Sequence, residues 1–296
     1  MNVLLIIIDC LRYDRVTPEY MPRLSMLADN STTFTNFWSV SHCTDPAMVS
    51  LLSGRWPDAL GLYSMMAEVP DYSIPEDVEM LAQVAKRHDY HTAMATNLGR
   101  WYGRGVDKII DFSRFPGTQG ESIGLMFEEL ERQEPWFITI HDASCHTDYR
   151  SGDYDTACNL VDQDIAQLLA HLCELGLYDN TFIVVTADHG EDLYEHGVSE
   201  HGNGMWPTIT HIPLIIHQPQ VQQIAVIDKI CQHIHLHSFL LDVLIGIEMP
   251  RMQVADLAHI VGRTPTVWNR ACTDGKNMLV KTQRPGEITW TFRAVN

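Results

Sequence analysis

Thr181-Phe182-Ile183-Val184-Val185-Thr186-Ala187-Asp188-His189-Gly190 is the stretch on which the fold turns. Thr181 to Thr186 are all β-branched or aromatic, which suits a strand buried on both faces. Two ionisable side chains follow almost at once. The same pattern opens the chain, where the apolar run Val3–Ile8 leads into Asp9. It returns at Trp136–Ile140, followed by His141-Asp142 and then His146. Shorter strands are predicted at Thr92–Thr96 and Leu214–His217. Between them, helical spacing marks Met21–Ala28, Pro46–Ser53, Val78–His88, Ser122–Arg132, Asp155–Leu175 and His235–Ile245. Gly54 ends the second of these. Strands alternating with helices predict an α/β protein with a mostly parallel sheet sandwiched between helices. Asn277–Asn296 alternates and predicts a small terminal hairpin. No linker, repeat or low-complexity tract marks a boundary, so residues 1–296 are expected to form a single domain with a short C-terminal region.

The composition narrows the function. The chain has 296 residues, 20 Lys+Arg against 38 Asp+Glu, and a formal charge of -18. About three quarters of the unfolded surface of a chain this long is buried on folding, so no disulfide support is needed. The charge argues against a nucleic-acid backbone as partner and against adsorption to anionic membranes. Seven cysteines, Cys10, Cys43, Cys145, Cys158, Cys173, Cys231 and Cys272, are odd in number and show no CxxC spacing. That disfavours a disulfide framework and a structural zinc site. Val3–Ile8 is too short for a signal-peptide core, and no run reaches the ~18 apolar residues of a membrane span. A cytoplasmic protein is expected. Histidine, at 15, is the one positive hint.

Ligands of an open parallel sheet bind beyond the carboxyl ends of its strands. Asp9, His141-Asp142 with His146, and Asp188-His189 all follow buried runs, so carboxylate and imidazole arrive at one edge. That is a first-row metal ligand set, suited to zinc or manganese rather than calcium. Taken singly, Asp9 is compatible with a helix cap and His146 with an ordinary loop histidine. Thr44 stands just ahead of the helix expected near Pro46, where unpaired backbone N–H groups and a positive dipole end suit an anion. Metal coordination is one way to make a threonine hydroxyl nucleophilic. The plain alternative is that Thr44 is an N-cap.

These segments together resemble the sulfatase branch of the alkaline phosphatase superfamily. The likeness runs from Asn2 to about Pro250. Asn2–Asp14 resembles the family's first strand and first metal aspartate. Thr17-Pro18 through Leu27-Ala28 is similar to its next helix, and Cys43–Gly54 to its nucleophile segment. His141–Tyr149 is similar to its third-strand histidine motif. Val184–Glu191 is the most specific match, and His201-Gly202 and Ile212–Ile216 follow in order. The resemblance implies an alkaline phosphatase-like fold. It implies one metal site made of Asp9, Thr44, Asp188 and His189, with His146 and His201 as second-site or anion-contact histidines. His201 lies twelve residues after His189. Asp142 precedes His146 by four, the spacing of superfamily members with two metals; it equally matches a non-ligand position of the sulfatase pattern. The resemblance also suggests a place near the anion for Asn97, in Thr96-Asn97-Leu98.

The departures matter as much. True sulfatases carry a cysteine at the nucleophile position, with proline two and arginine four residues on, and oxidise it to formylglycine. Fixing Pro46 and Gly54 puts Thr44 at that position and Met48 at the arginine. Cys43 is one residue early. Relatives with threonine there are mostly phosphoryl-type enzymes. Cys10 stands where calcium-binding sulfatases have a second carboxylate, and His189 where they have an amide. One or two divalent ions, manganese or zinc rather than calcium, are therefore implied.

The expected activity is metal-dependent hydrolysis of a phosphate ester, a phosphodiester or phosphomonoester, through a phospho-Thr44 intermediate. His146 or His201 would hold a second metal or act on the leaving group. Competing readings are a sulfatase without formylglycine, a phosphoryl-group transferase, and a non-catalytic anion-binding protein. The expected partner is a small anionic ester, with no nucleic acid and no membrane. The site is expected to be open or completed by a second subunit in a homo-oligomer. His211, His217, His233, His235 and His237 match no motif and are expected to be structural, as are His42 and His196 beside the site. Tyr63–Pro75 and Trp101–Gln119 would set specificity but carry no signature. Trp101, Tyr102, Tyr149 and Trp206 are equally suited to a pocket wall and to packing.

Overall fold

In the computed structural model the strands are β1 (Asn2–Ile8), β2 (Thr32–Phe34), β3 (Phe37–Trp38), β4 (His91–Thr96), β5 (Lys108–Asp111), β6 (Trp136–Asp142), β7 (Thr181–Thr186), β8 (Leu214–His217), β9 (Val226–Ile227), β10 (Cys231–Gln232), β11 (Ala258–Arg263), β12 (Trp268–Thr273), β13 (Asn277–Arg284) and β14 (Glu287–Ala294). The helices are α1 (Pro22–Asp29), α2 (Thr44–Ser53), α3 (Pro57–Leu60), α4 (Leu81–Arg87), α5 (Tyr154–Glu174), α6 (Pro207–Thr210) and α7 (His233–Leu244). The structure describes residues 1–69, 71–96, 102–111, 126, 128–132, 134–146, 153–197, 199–202, 204–219, 221, 224–247, 250–264 and 266–295. Residues 122–125 and 127 of the helix expected over Ser122–Arg132 lie outside them. The chain divides into two compact units, each assembled from three separate stretches.

The first unit comprises Met1–Phe34, Ala82–Ala187 and Pro213–Ile227. It holds an eight-stranded sheet in the order β5-β4-β6-β1-β7-β8-β2-β9. The sheet is parallel except where β8 runs against β7 and β2. It is the large, mostly parallel sheet flanked by helices that the sequence pattern predicts. β1 lies at its centre with every residue buried, which is why its run shows no polar alternation. Its neighbours are in parallel register, with Ile7 opposite His141 on β6 and Thr186 on β7. α1 starts at Pro22, where the missing N–H costs nothing. The buried Asp162 carboxylate on α5 accepts from the Leu24 and Arg23 N–H groups at 2.7 and 3.2 Å, so α5 caps α1. α5 itself is capped by Asp153, which accepts from the Thr156 N–H at 3.0 Å.

The second unit comprises Thr35–Leu81, Asp188–Ile212 and Asp228–Asn296. Its core joins Trp38, Met205, Ile230, Ile260, Ala271, Met278 and Val280. α2 is buried along its whole length and packs on α7. β3 and β10 form a short parallel pair. β11 to β14 form an antiparallel sheet in sequence order. The expected hairpin is present as β13–β14, turned by Pro285-Gly286 with Gly286 at φ 78°. It is half of a four-stranded sheet, because β11 and β12 precede it. Among the described residues, no helix is long and apolar enough to cross a membrane.

Candidate active site

Beyond β1 the first unit turns sharply. Cys10 has φ 65°, a left-handed conformation that costs a non-glycine residue roughly 1–2 kcal/mol. Tyr154, the first residue of α5, secures the turn. Its hydroxyl donates to the Cys10 carbonyl at 2.6 Å and accepts from the Arg12 N–H at 2.9 Å. The turn leaves the Asp9 carboxylate buried, with Oδ1 accepting from the Cys10 thiol at 3.1 Å. Oδ2 lies 3.7 Å from His141 Nε2, and His141 Nδ1 lies 3.1 Å from Thr96 Oγ1. Successive strand residues point to opposite faces, so His141 and Asp142 divide between the two sides of β6. Asp142 Oδ1 accepts from the Ser144 N–H at 2.8 Å. The turn closes with the His146 N–H donating to Ala143 O at 3.2 Å. Tyr102 is buried edge-on to His141.

In the second unit α2 begins at Thr44, not near Pro46. The first-turn N–H groups have no intrahelical acceptor, so proline is tolerated there and the helix extends back past it. Cys43, extended at φ -153°, is the N-cap residue, which corrects the N-cap reading of Thr44. Thr44 Oγ1 lies 3.1 Å from His189 Nε2. His189 Nδ1 lies 2.8 Å from Gly190 O; a carbonyl only accepts, so Nδ1 carries the proton and the Nε2 lone pair faces Thr44. Asp188 Oδ1 accepts from the His189 N–H at 2.7 Å, and Oδ2 lies 3.3 Å from the same Nε2. A carboxylate oxygen and an imidazole lone pair thus face each other beside a hydroxyl. The residues fit a divalent cation, because shared coordination relieves that repulsion.

His201 belongs to the same unit. Its Nδ1 lies 3.2 Å from Oε1 of the fully buried Glu191, and its ring centroid is 4.3 Å from that of His189. His42 accepts the Gly202 N–H on its carbonyl at 3.1 Å. Burial, and then the neighbouring His201, push its imidazole down to about 4. Burial pushes the Cys43 thiol up, so it stays protonated. His196 is held by Asp192 and stacks on Trp206 at 3.6 Å. The Arg293 guanidinium lies 3.3 Å from the Trp206 ring centroid.

Asp9 and His141 therefore meet in one unit, and Thr44, Asp188, His189 and His201 gather in the other. Asp142 is the last residue of β6, and His146 lies in the turn that follows it. Asn97, Trp101 and Tyr149 lie outside the described residues. His141, expected at the sheet edge but given no ligand role by the resemblance, stands next to Asp9. Glu191, which has no expected role, stands next to His201 and directly follows the Asp188-His189-Gly190 run. His211, His233 and His237 have structural partners in Thr35 O, the Phe37 ring and Leu51 O.

The family model described as Sulfatase matches residues 1–247. An uncharacterized protein of Haemophilus influenzae is 23% identical over 290 residues, which are 95% of this chain and 47% of that protein. An N-acetylglucosamine-6-O-sulfatase of Bacteroides thetaiotaomicron is 33% identical over 124 residues, 40% of this chain and 22% of the enzyme. The chain thus spans less than half the length of these relatives. Among solved structures, the phosphonate monoester hydrolase SpPMH from Silicibacter pomeroyi superposes with a TM-score of 0.75 at 17% identity. The match covers 99% of this chain and 88% of that one.

Proposed function

The chain belongs to the sulfatase family of hydrolases, and from that premise we propose that it hydrolyses a small phosphate ester through a covalent phospho-Thr44 intermediate. The observation that carries the reading is the 3.1 Å contact between Thr44 Oγ1 and His189 Nε2 at the N-terminus of α2. Threonine at this place also argues against the formylglycine route. Its β-carbon bears a methyl group, so two-electron oxidation gives a ketone and not an aldehyde.

Asp9, Thr44, Asp188 and His189 would hold a divalent cation, manganese or zinc. When bound, it would make the hydroxyl more acidic and offset charge on the phosphoryl oxygens. The protein groups do the rest. The buried start of α2 offers backbone N–H groups to the anion. Thr44 Oγ gives its proton to solvent water and attacks phosphorus in line, and the P–O bond to the leaving group breaks. His201, held through Nδ1 by Glu191, gives a proton to the departing oxygen. In the second step His201 takes a proton from water, the water oxygen attacks phosphorus, and Thr44 Oγ departs and regains a proton from solvent. Asp142, at the end of β6, and His146, in the turn that follows it, are candidates for holding a second cation.

The test is turnover of matched aryl phosphate, phosphodiester, phosphonate and sulfate esters by the wild type and by Thr44→Ala. Wild-type turnover of the phosphorus esters is expected, with loss in the variant and a phosphoryl group on the Thr44 peptide after rapid acid quenching. Turnover of the sulfate ester alone would select the sulfatase reading. Product esters of added alcohols, with no phosphate released, would select the transferase. Full activity of Thr44→Ala would reject the scheme.

A further inference from the structure

We propose that β14 is a self-association edge, pairing antiparallel with β14 of a second copy of this chain in a register centred on Trp290. Four observations in the second unit lead there. β14 is the last strand of its sheet, and among the described residues no strand pairs with its outer side. Its alternate residues Ile288, Trp290 and Phe292 are 55%, 63% and 70% exposed. Their cross-strand partners on β13 are Gln283, Lys281 and Leu279, so they share the face opposite the core residues Met278 and Val280. Finally, Glu287-Ile288-Thr289-Trp290-Thr291-Phe292-Arg293 has no proline, glycine or charge in its middle. Exposed edges are ordinarily blunted by such residues.

The register follows from backbone geometry and charge. On one side of a strand, only every second residue points its N–H and C=O outward. A strand pairing with its own copy about a twofold axis must match outward groups with outward groups, so the axis passes through a residue and not between two. With the axis at Trp290, Ile288 faces Phe292, Thr289 faces Thr291, and Glu287 faces Arg293 of the second copy. Opposite charges then meet twice, once at each end, in addition to the contacts each already makes within its own copy: Arg293 with the Trp206 ring and Met205 O, and Glu287 with Arg284. An axis at Thr289 sets Glu287 against Thr291, and one at Thr291 sets Arg293 against Thr289, so neither pairs the charges. An isologous contact of this kind closes at two copies and does not run on into fibres. Cross-strand aromatic and opposite-charge pairs are the contacts that stabilise a sheet. The inference is independent of the hydrolase reading, since none of Thr44, Asp188, His189, Glu191 and His201 takes part.

The experiment is sedimentation of the full chain over a wide concentration range, combined with site-directed cross-linking. The wild type is expected to dimerise. Trp290→Asp, on an exposed position, is expected to be monomeric with an unchanged circular dichroism spectrum. In a background with Cys173→Ser and Cys272→Ser, copies bearing Ile288→Cys mixed with copies bearing Phe292→Cys should form a disulfide-linked dimer on mild oxidation. Neither variant alone should, because like positions then stand four residues apart, beyond disulfide reach. A wild type that stays monomeric overturns the proposal. So does a dimer that survives Trp290→Asp, or mixed copies that fail to cross-link. A monomer that instead co-sediments with phosphatidylcholine–phosphatidylglycerol vesicles, and loses this in Trp290→Asp, would assign the same face to a lipid surface.

Discussion

His201 Nδ1 stands 3.2 Å from Glu191 Oε1, and the Glu191 side chain is fully buried. The carboxylate fixes which nitrogen carries the inward proton and leaves Nε2 for an incoming oxygen. Glu191→Gln keeps an acceptor but removes the charge that favours the imidazolium. It is expected to lower kcat by about 10- to 100-fold on alkyl esters, which need a proton at the leaving oxygen. Activated aryl esters should be far less affected. The check is a series of esters of graded leaving-group basicity. An equal loss across the series would assign Glu191 a role in folding only.

Tyr154 connects α5 to the turn after β1 through one hydroxyl, which donates to Cys10 O and accepts from Arg12 N–H. Tyr154→Phe leaves both backbone groups without that partner in a buried place. A loss of about 1–3 kcal/mol is expected, measurable by urea unfolding. Because the left-handed Cys10 aims Asp9, the variant should also bind manganese or zinc more weakly by titration calorimetry. Unchanged metal affinity alongside reduced stability would separate the turn from the site.

The parts of the fold that were legible are those where burial is total. Val3–Ile8, Trp136–Ile140 and Thr181–Thr186 announce themselves because both faces of each strand are covered, and their ends deliver Asp9, His141 and Asp188. β11 and β12 were not legible. Each has one face toward a core, and β12 fills that face with Asn269, Ala271 and Thr273, so no apolar run forms. β3 and β10 are two residues long, below any periodicity. Pro46 suggests the boundary of α2, but the helix starts two residues earlier, because a proline in the first turn breaks no hydrogen bond. At the site, motif spacing picked out Thr44, Asp188, His189 and His201. It passed over Glu191, which touches its partner only because the chain folds back between them.

Gly54 ends α2 with φ 69°, and a β-carbon there would meet His237 Cδ2 at 2.5 Å. Gly61 has φ 66° with nothing within 4 Å. Gly61→Ala should therefore show the left-handed strain alone, about 1–2 kcal/mol. Gly54→Ala should cost more, because the His237 ring must move and its bond to Leu51 O is put at risk. Urea midpoints of the two variants make the comparison. Equal losses would mean that the His237 ring yields freely.

His237 also sets a pH dependence. Burial pushes its imidazole down to about 4, while its Nδ1 donates to Leu51 O at 3.1 Å. The unfolded chain takes up a proton at this residue near pH 6.5, and the folded chain only near 4. Between those values the unfolded state binds more protons, so stability rises with pH. The contribution is complete above about pH 6.5 and is lost as pH falls towards 4. The shift sets an upper limit of about 3 kcal/mol, reduced by whatever solvent reaches the ring. His237→Gln keeps a donor for Leu51 O and cannot titrate. Its unfolding free energy, measured in denaturant from pH 7 to pH 4, should fall less steeply than that of the wild type. Parallel curves for the two proteins would remove His237 from the acid response.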